Sequence, residues 1–224
     1  MKNLIDILIN PTAVFRGIKE KPEWLKPFIV VLLGLSILSI LSISTTSNLI
    51  TAQQIEAMKE RNMTEEQIEQ AIKFTSGPFI YVSALIGTIL GVSAILLLFA
   101  LLLNIFIPMV GGEGSYKVVF SVVSYAALIK IPAHILRWIL IMIKNSLQVS
   151  TSLALFVPNL PVNSIAYRLL SSFDFFIIWE MILVAIGISI TNNLKKEKAF
   201  ILVFIIWFAS ILLGLGLGQA FRPR

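Results

Sequence analysis

Five ionisable side chains stand inside the long apolar stretches of this chain. Lys130, His134 and Arg137 follow an i, i+4, i+7 pattern, which places all three on one face of a helix. Asp174 and Glu180 stand in a second apolar run further along the chain. An ionisable group at membrane depth costs free energy unless it faces protein or water and finds a partner. The pattern therefore predicts a buried ionic or polar cluster between two helices of opposite charge.

The spacing of these residues predicts which charges pair. Lys130 and Glu180 each lie near the middle of their apolar runs. Arg137 is seven residues from Lys130 and Asp174 is six from Glu180, offsets of about 10 and 9 Å at about 1.5 Å per residue. Lys130 should pair with Glu180, and Arg137 with Asp174. Asp174 and Glu180 are about 120° apart around a helix, so Asp174 must adjust at the water boundary.

Two roles are open for this cluster. In the first, the charge pairs hold two helices together and fix their register. In the second, Lys130, His134 and Glu180 line a polar cavity for a proton, an ion or a lipid head group. Proton-coupled transporters usually contain inverted repeats and broken helices, and this sequence shows no clear repeat. The structural role is therefore favoured.

The composition argues against enzyme and metal chemistry. The chain has no cysteine and one histidine, which excludes thiol-based and multi-histidine metal sites. No serine stands in a Gly-x-Ser-x-Gly setting. The sequence predicts no catalytic residue, no metal and no cofactor.

The balance of apolar and charged residues indicates the solvent of this protein. Of its 224 residues, 57% are hydrophobic and 13% are charged, whereas a soluble domain has about 25% charged residues. Such a chain cannot cover a water-facing surface, so lipid must surround most of it. The net charge of +6 favours contact with anionic lipid head groups. Nucleic acid is not an expected partner, because no basic cluster is interleaved with aromatic residues.

The elements that position the cluster are five predicted membrane spans. These cover residues 27–50, 77–110, 116–144, 171–192 and 199–221. Residues 1–26 are predicted as a cytoplasmic or interfacial amphipathic arm, and residues 51–76 as a small extramembrane helical hairpin that contains a capping box. The fold class is thus all-α, a polytopic membrane protein with a membrane domain over residues 27–224.

The N-terminal arm is predicted to contain a short helix in the head-group plane. Asn10 and Pro11 suit a helix start, and apolar residues follow at helical spacing with basic residues between them. Phe15 and Trp24 are the expected membrane-interface anchors.

Small residues mark two faces where another helix can approach closely. Ser83, Gly87 and Gly91 recur every four residues in the second span, and Gly214 and Gly218 lie in the last. Residues of this size at this spacing favour helix packing in membranes and permit a dimer.

Two further features concern the backbone. Pro132 should bend the third span, because proline removes a backbone donor. The glycine-rich residues 111–115 are predicted as a helix-to-helix turn, since the lysine and hydroxyl spacing of a nucleotide loop is missing.

Several short motifs follow one another over most of the chain. They are Asn10-Pro11, Trp24-Leu25-Lys26-Pro27, residues 63–67, Gly112-Glu113-Gly114-Ser115-Tyr116, residues 125–132, residues 173–179 and Gly187. In order and spacing they resemble the Yip1 family, and its bacterial members in particular. The resemblance implies five transmembrane helices, a cytoplasmic N-terminus and an outside C-terminus. The basic residues agree with that orientation, with nine on the inside and eight outside.

The resemblance also bears on partners. Eukaryotic members look like trafficking factors that bind Rab-type GTPases, but this chain lacks the long cytoplasmic N-terminal region where such partners would bind. We therefore expect a multi-pass protein of the cell membrane that acts as a non-enzymatic scaffold or membrane-organising protein. Its partners would be the lipid bilayer, another copy of itself or another membrane protein. The alternative is a small transporter or channel subunit that uses Lys130, His134 and Glu180.

Overall fold

The computed structural model describes residues 2–75, 77–162 and 164–220. Within this part of the chain the named elements are helices. They are α1 (Lys2–Ile9), α2 (Pro11–Glu20), α3 (Leu25–Glu60), α4 (Glu65–Thr75), α5 (Pro78–Phe106), α6 (Tyr116–Ala126), α7 (Lys130–Lys144), α8 (Ile165–Ser172), α9 (Phe175–Thr191) and α10 (Lys196–Ala220). Short 3-10 turns cover Pro108–Val110, Ala127–Ile129 and Leu153–Phe156.

Among the described residues, four helical stretches are long and apolar enough to cross a bilayer. They are Leu25–Glu60, Pro78–Val110, Tyr116–Lys144 and Lys196–Gly216. The helix α9 is also apolar but has 17 residues, which corresponds to about 26 Å at about 1.5 Å per residue. Four to five helices are therefore able to span a membrane, and the predicted all-α polytopic class is confirmed.

The helix α3 is longer than the span predicted for residues 27–50. It continues without a break to Glu60, for 36 residues in all. Residues 51–60 are polar but contain neither glycine nor proline, so the change in polarity does not end the helix. The chain turns at Asn62, whose φ of 57° is left-handed. Thr64 and Gln67 then form the predicted capping box, with N–H to side-chain oxygen distances of 3.0 and 3.3 Å.

The chain divides into two compact units. The first comprises Met1–Val31, Ala94–Ile131 and Ser150–Arg224, and the second comprises Leu32–Ser93 and Pro132–Val149. In the second unit, the indole Nε1 of Trp138 donates a hydrogen bond to Thr45 Oγ1 at 2.8 Å, which joins α7 to α3. In the first unit, α2, α6 and α10 all pack against α9.

The apolar face of α2 packs on protein, and the prediction that Phe15 anchors the chain in lipid is wrong. The Phe15 side chain is fully buried. It lies over Gly187 of α9, where an added Cβ would stand 2.9 Å from Phe15 Cε1 and 2.3 Å from Val122 Cγ1. Amphipathic spacing cannot distinguish a lipid surface from an apolar groove of the same protein, because both accept the same side chains.

At most of the predicted small-residue positions, the described part of the chain leaves open space. Ser83 is exposed, and a Cβ added at Gly87, Gly91 or Gly214 would meet nothing within 4 Å. Gly218 lies in α10, but its surroundings fall outside what the structure describes. Packing of these faces against another molecule stays a prediction.

Candidate functional site

A change of helix type positions Lys130. The helix α6 ends at Ala126, a 3-10 turn follows, and α7 begins at Lys130. Pro132 has no N–H to offer the carbonyl of Leu128, and its ring excludes that carbonyl from ordinary α-helical geometry. The α-helix is therefore interrupted by this 3-10 turn just before Pro132, and a bend of the span stays a prediction. The turn packs against α9, which brings the first residue of α7 close to that helix.

Lys130 and Glu180 form the predicted buried ion pair. The distance from Lys130 Nζ to Glu180 Oε2 is 2.5 Å. The Glu180 side chain is 5% exposed and that of Lys130 is 27% exposed. The sequence-based pairing of these two residues is confirmed. Such a pair is weak evidence for net stability, but the loss of one partner leaves an uncompensated charge in the interior.

The other basic members of the predicted cluster are not buried. The side chains of His134 and Arg137 are exposed. Both residues belong to the second unit, because the chain passes from the first unit to the second at Pro132 within α7. Their exposure differs from the predicted burial, and a cluster that includes them stays a prediction. The helical spacing placed them correctly on one face of α7, but it could not show that the packed first unit ends at Ile131.

Asp174 has a role that the charge pattern did not suggest. It is the N-cap of α9, and its Oδ1 accepts hydrogen bonds from the backbone N–H groups of Phe176 at 2.8 Å and Ile177 at 3.4 Å. Its Oδ2 accepts from the hydroxyl of Thr151. An aspartate directly before an apolar run is a typical cap signal, which could have revealed this role. The pairing with Arg137 of the other unit stays a prediction.

A second polar site, which sequence reasoning missed, joins two loops of the first unit. We call it the loop contact, and it consists of Glu113, Gly114, Thr191 and Asn192. The fully buried Asn192 donates from Nδ2 to the carbonyl of Glu113 at 2.7 Å and accepts from Thr191 Oγ1 at 2.7 Å. In return, the Glu113 N–H donates to the Asn192 carbonyl at 3.0 Å.

The glycine-rich turn makes the loop contact possible. Gly114 has a φ of +148°, and an added Cβ would stand 2.2 Å from Asn192 Nδ2. At Gly112, an added Cβ would stand 2.8 Å from Leu194 Cγ. The predicted helix-to-helix turn therefore also provides the space in which the side chain of Asn192 is buried. The run of glycines was the available signal, but its partner is 79 residues away in sequence.

Two lysines complete this end of the first unit. Lys198 Nζ donates to the carbonyl of Val110 at 2.8 Å, and Lys19 Nζ donates to Asn193 Oδ1 at 2.6 Å. A cation near the last carbonyls of a helical turn is favourable, because those carbonyls have no partner in the turn itself. Lys19 connects the N-terminal arm to the loop before α10.

This arrangement defines a polytopic α-helical membrane protein whose first unit is held by one buried ion pair and one buried loop contact. The Yip1 domain model matches residues 5–218, so the chain belongs to the Yip1 family, as the order of its motifs indicated. It is 24% identical over 207 residues to the membrane protein YknW of Bacillus subtilis (strain 168), a match that covers 92% of this chain and 85% of that protein. No solved structure matches.

Proposed function

We propose that this protein is a non-enzymatic scaffold of the plasma membrane that organises other membrane components through protein or lipid contacts. The observation that carries the proposal is that the two charges between α7 and α9 pair with each other. Lys130 and Glu180 neutralise each other at 2.5 Å. Close to them along α6 and α9, the side chains of Val123, Ala126 and Val184 are at most 1% exposed. A tightly packed, mutually satisfied pair suits a structural role.

The transport alternative receives less support from the same residues. A proton or ion pathway needs ionisable groups that line a shared cavity and exchange partners. His134, which the alternative requires beside Lys130 and Glu180, has an exposed side chain in the second unit. An exposed imidazole gives less support to an enclosed pathway than a buried one would.

Reconstituted liposomes test this proposal. Vesicles that contain the protein and an internal pH-sensitive dye should respond to an imposed pH gradient or membrane potential as empty vesicles do. Glu180→Gln should leave that response unchanged, and so should the control Glu69→Gln, which alters an exposed carboxylate paired with Lys73. A flux that the parent and Glu69→Gln share and that Glu180→Gln abolishes would establish the transport alternative instead.

The assembly state is the positive counterpart of the liposome test. A scaffold acts by association, so the protein should leave native membranes in particles heavier than its own 24.9 kDa. Mass measurement in lipid nanodiscs formed directly from the membrane gives the stoichiometry. A nanodisc that contains one copy of the chain, no other protein and no lipid enriched over the surrounding membrane would contradict the proposal.

A further inference from the structure

An open groove lies where α3 and α6 begin in the first unit. Its volume is about 400 Å³, and its lining residues are Trp24, Phe28, Leu97, Tyr116, Lys117 and Phe120. We call it the aromatic groove. Phe120 is the buried centre of its rings: the ring centroids of Trp24 and Phe28 each lie 5.4 Å from that of Phe120, and Tyr116 stacks on it at 5.8 Å. Sites for small molecules have volumes of roughly 300–1,000 Å³.

The lining surface of the aromatic groove is apolar, and one end of the groove lies where two membrane spans begin. Tyr116 and Lys117 are the first residues of α6, and Trp24 directly precedes α3, so these residues mark the ends of membrane spans. Leu97 and Phe120 lie within the apolar helices α5 and α6. The hydroxyl of Tyr116 donates to the Leu97 carbonyl at 3.2 Å and connects α6 to α5. Aromatic residues with this placement are typical of the level at which head groups meet acyl chains.

Lys117 places a charged side chain at the end of the groove where α6 begins. Its side chain is exposed, and among the described residues it forms no salt bridge with a carboxylate. Lys21 and Lys26, which flank Trp24 in sequence, lie 3.8 and 3.1 Å from Glu23. The hydrogen bond and charge of Lys26 hold the pKa of Glu23 below its usual range, so this carboxylate stays ionised and partly neutralises both lysines. Lys117 is therefore the cation at the groove that is available for an external anion.

We propose that the aromatic groove binds one anionic glycerophospholipid, with an acyl chain against Phe120 and the phosphate beside Lys117. The apolar rings accept the chain, and the ammonium group selects the charge of the head group. A quaternary ammonium head group would find aromatic faces, but Lys117 would repel it. The inference goes beyond the proposed scaffold function, because a lipid site at this place does not depend on what the rest of the molecule does.

Native mass spectrometry in detergent tests the proposal with two probes, phosphatidylglycerol and phosphatidylcholine with the same acyl chains. The parent protein should retain one phosphatidylglycerol and bind it more tightly than phosphatidylcholine. Lys117→Gln should weaken phosphatidylglycerol binding about fivefold, the change expected for one basic residue at a lipid surface. Leu97→Trp should fill the groove and weaken the binding of both lipids. Because Leu97 is 40% exposed, a larger ring there does not enlarge the protein core.

The matched control is Lys21→Gln, which removes the same charge from an exposed position outside the groove. It should leave phosphatidylglycerol binding unchanged. If Lys21→Gln and Lys117→Gln weaken binding equally, the effect is one of general surface charge and the site does not exist. Equal affinity for the two lipids, or no retained lipid in the parent, would also overturn the proposal. The thermal unfolding temperature of each variant shows whether a loss of binding reflects a loss of fold.

Discussion

Removal of the Glu180 side chain should destabilise the first unit. Its carboxylate is buried and lies 2.5 Å from the ammonium of Lys130, so Glu180→Ala removes the negative charge of a buried ion pair. The breaking of a buried ion pair costs about 3–5 kcal/mol; because Lys130 is 27% exposed, we expect a value near the lower end. Thermal or denaturant unfolding in detergent measures the difference. A variant as stable as the parent would show that the pair has no structural role.

The exposed pair of Glu69 and Lys73 provides the control for that measurement. Its atoms lie 2.7 Å apart, but both side chains are more than 60% exposed, at 68% and 73%. Surface pairs of this kind contribute about 0–1 kcal/mol.

The double variant Lys130→Met with Glu180→Leu should recover much of the lost stability, because an apolar pair of similar volume avoids the cost of desolvation.

Gly187 offers a second test at the level of one residue. The nearest atoms to an added methyl group would be Val122 Cγ1 at 2.3 Å and Phe15 Cε1 at 2.9 Å, so Gly187→Ala must displace packed side chains. Overpacking of this kind costs about 1–3 kcal/mol. Gly91→Ala is the control, since a methyl group there meets nothing within 4 Å. Unfolding of the two variants should differ clearly, and equal stabilities would contradict the close contact of α2 with α9.

The comparison of glycines also shows where sequence reasoning stops. Regular spacing predicts a packing face at Ser83, Gly87 and Gly91, yet side chains of α2 and α6 cover Gly187, which that spacing does not single out. Whether a small residue is covered depends on tertiary contacts, here those of α2 with α9, and these are not encoded in local spacing. The pairing of Lys130 with Glu180, by contrast, could be predicted from the positions of the two residues along their helices. Both residues lie in the same unit.

At the level of elements, the loop contact determines how the turn before α6 meets the turn before α10. Asn192→Ala removes the donor to the Glu113 carbonyl and leaves that carbonyl without its side-chain partner. A buried polar group left unsatisfied costs about 1–3 kcal/mol. Hydrogen exchange should become faster at the amide of Glu113, which donates to the Asn192 carbonyl.

Asn193→Gly is the control for the loop contact. Asn193 is exposed and has a φ of 55°, which glycine adopts without strain. This variant removes the hydrogen bond with Lys19 but leaves Asn192 in place. Exchange at Glu113 should therefore remain slow. Fast exchange in both variants would mean that the whole loop is mobile, and that Asn192 holds nothing in particular.

Local signals predicted the element boundaries that local chemistry determines. The capping box at Thr64 and Gln67 and the effect of Pro132 on α7 were both visible, because each depends on neighbours within four residues. The change in polarity predicts a membrane span at residues 27–50 and a separate helical hairpin at 51–76, whereas α3 continues to Glu60, because polarity does not break backbone hydrogen bonds. The N-cap role of Asp174 is not predicted from the sequence, because its carboxylate is assigned to an ion pair with Arg137 instead.

For the whole molecule, the topology depends on α9. Its 17 residues correspond to about 26 Å, slightly less than the roughly 30 Å of a hydrocarbon core. Because α2, α6 and α10 pack against it, α9 is largely covered by protein and need not match the bilayer along its whole length. With five crossings the two termini lie on opposite sides; with four they lie on the same side.

The absence of cysteine allows this to be decided by single-cysteine labelling. We propose a cytoplasmic N-terminus and expect Glu60→Cys, at the end of α3, to react with a membrane-impermeant maleimide on intact cells. Lys21→Cys and Lys195→Cys should be protected on intact cells and react only once the cells are lysed. Lys195 shares the side of Lys21 because α9 returns the chain to the side of the N-terminal arm. Gln148→Cys, in the loop after α7, should react like Glu60→Cys.

Each alternative topology gives its own labelling pattern. If α9 does not cross, Lys195→Cys becomes labelled on intact cells together with Gln148→Cys, while Lys21→Cys stays protected. If the orientation is reversed, all four positions exchange their behaviour. The positive charge of Lys195, Lys196 and Lys198 favours the topology with five crossings and a cytoplasmic N-terminus. Basic residues in short loops are retained on the cytoplasmic side. Replacement of these three lysines by glutamine should therefore weaken the preference of the loop for that side.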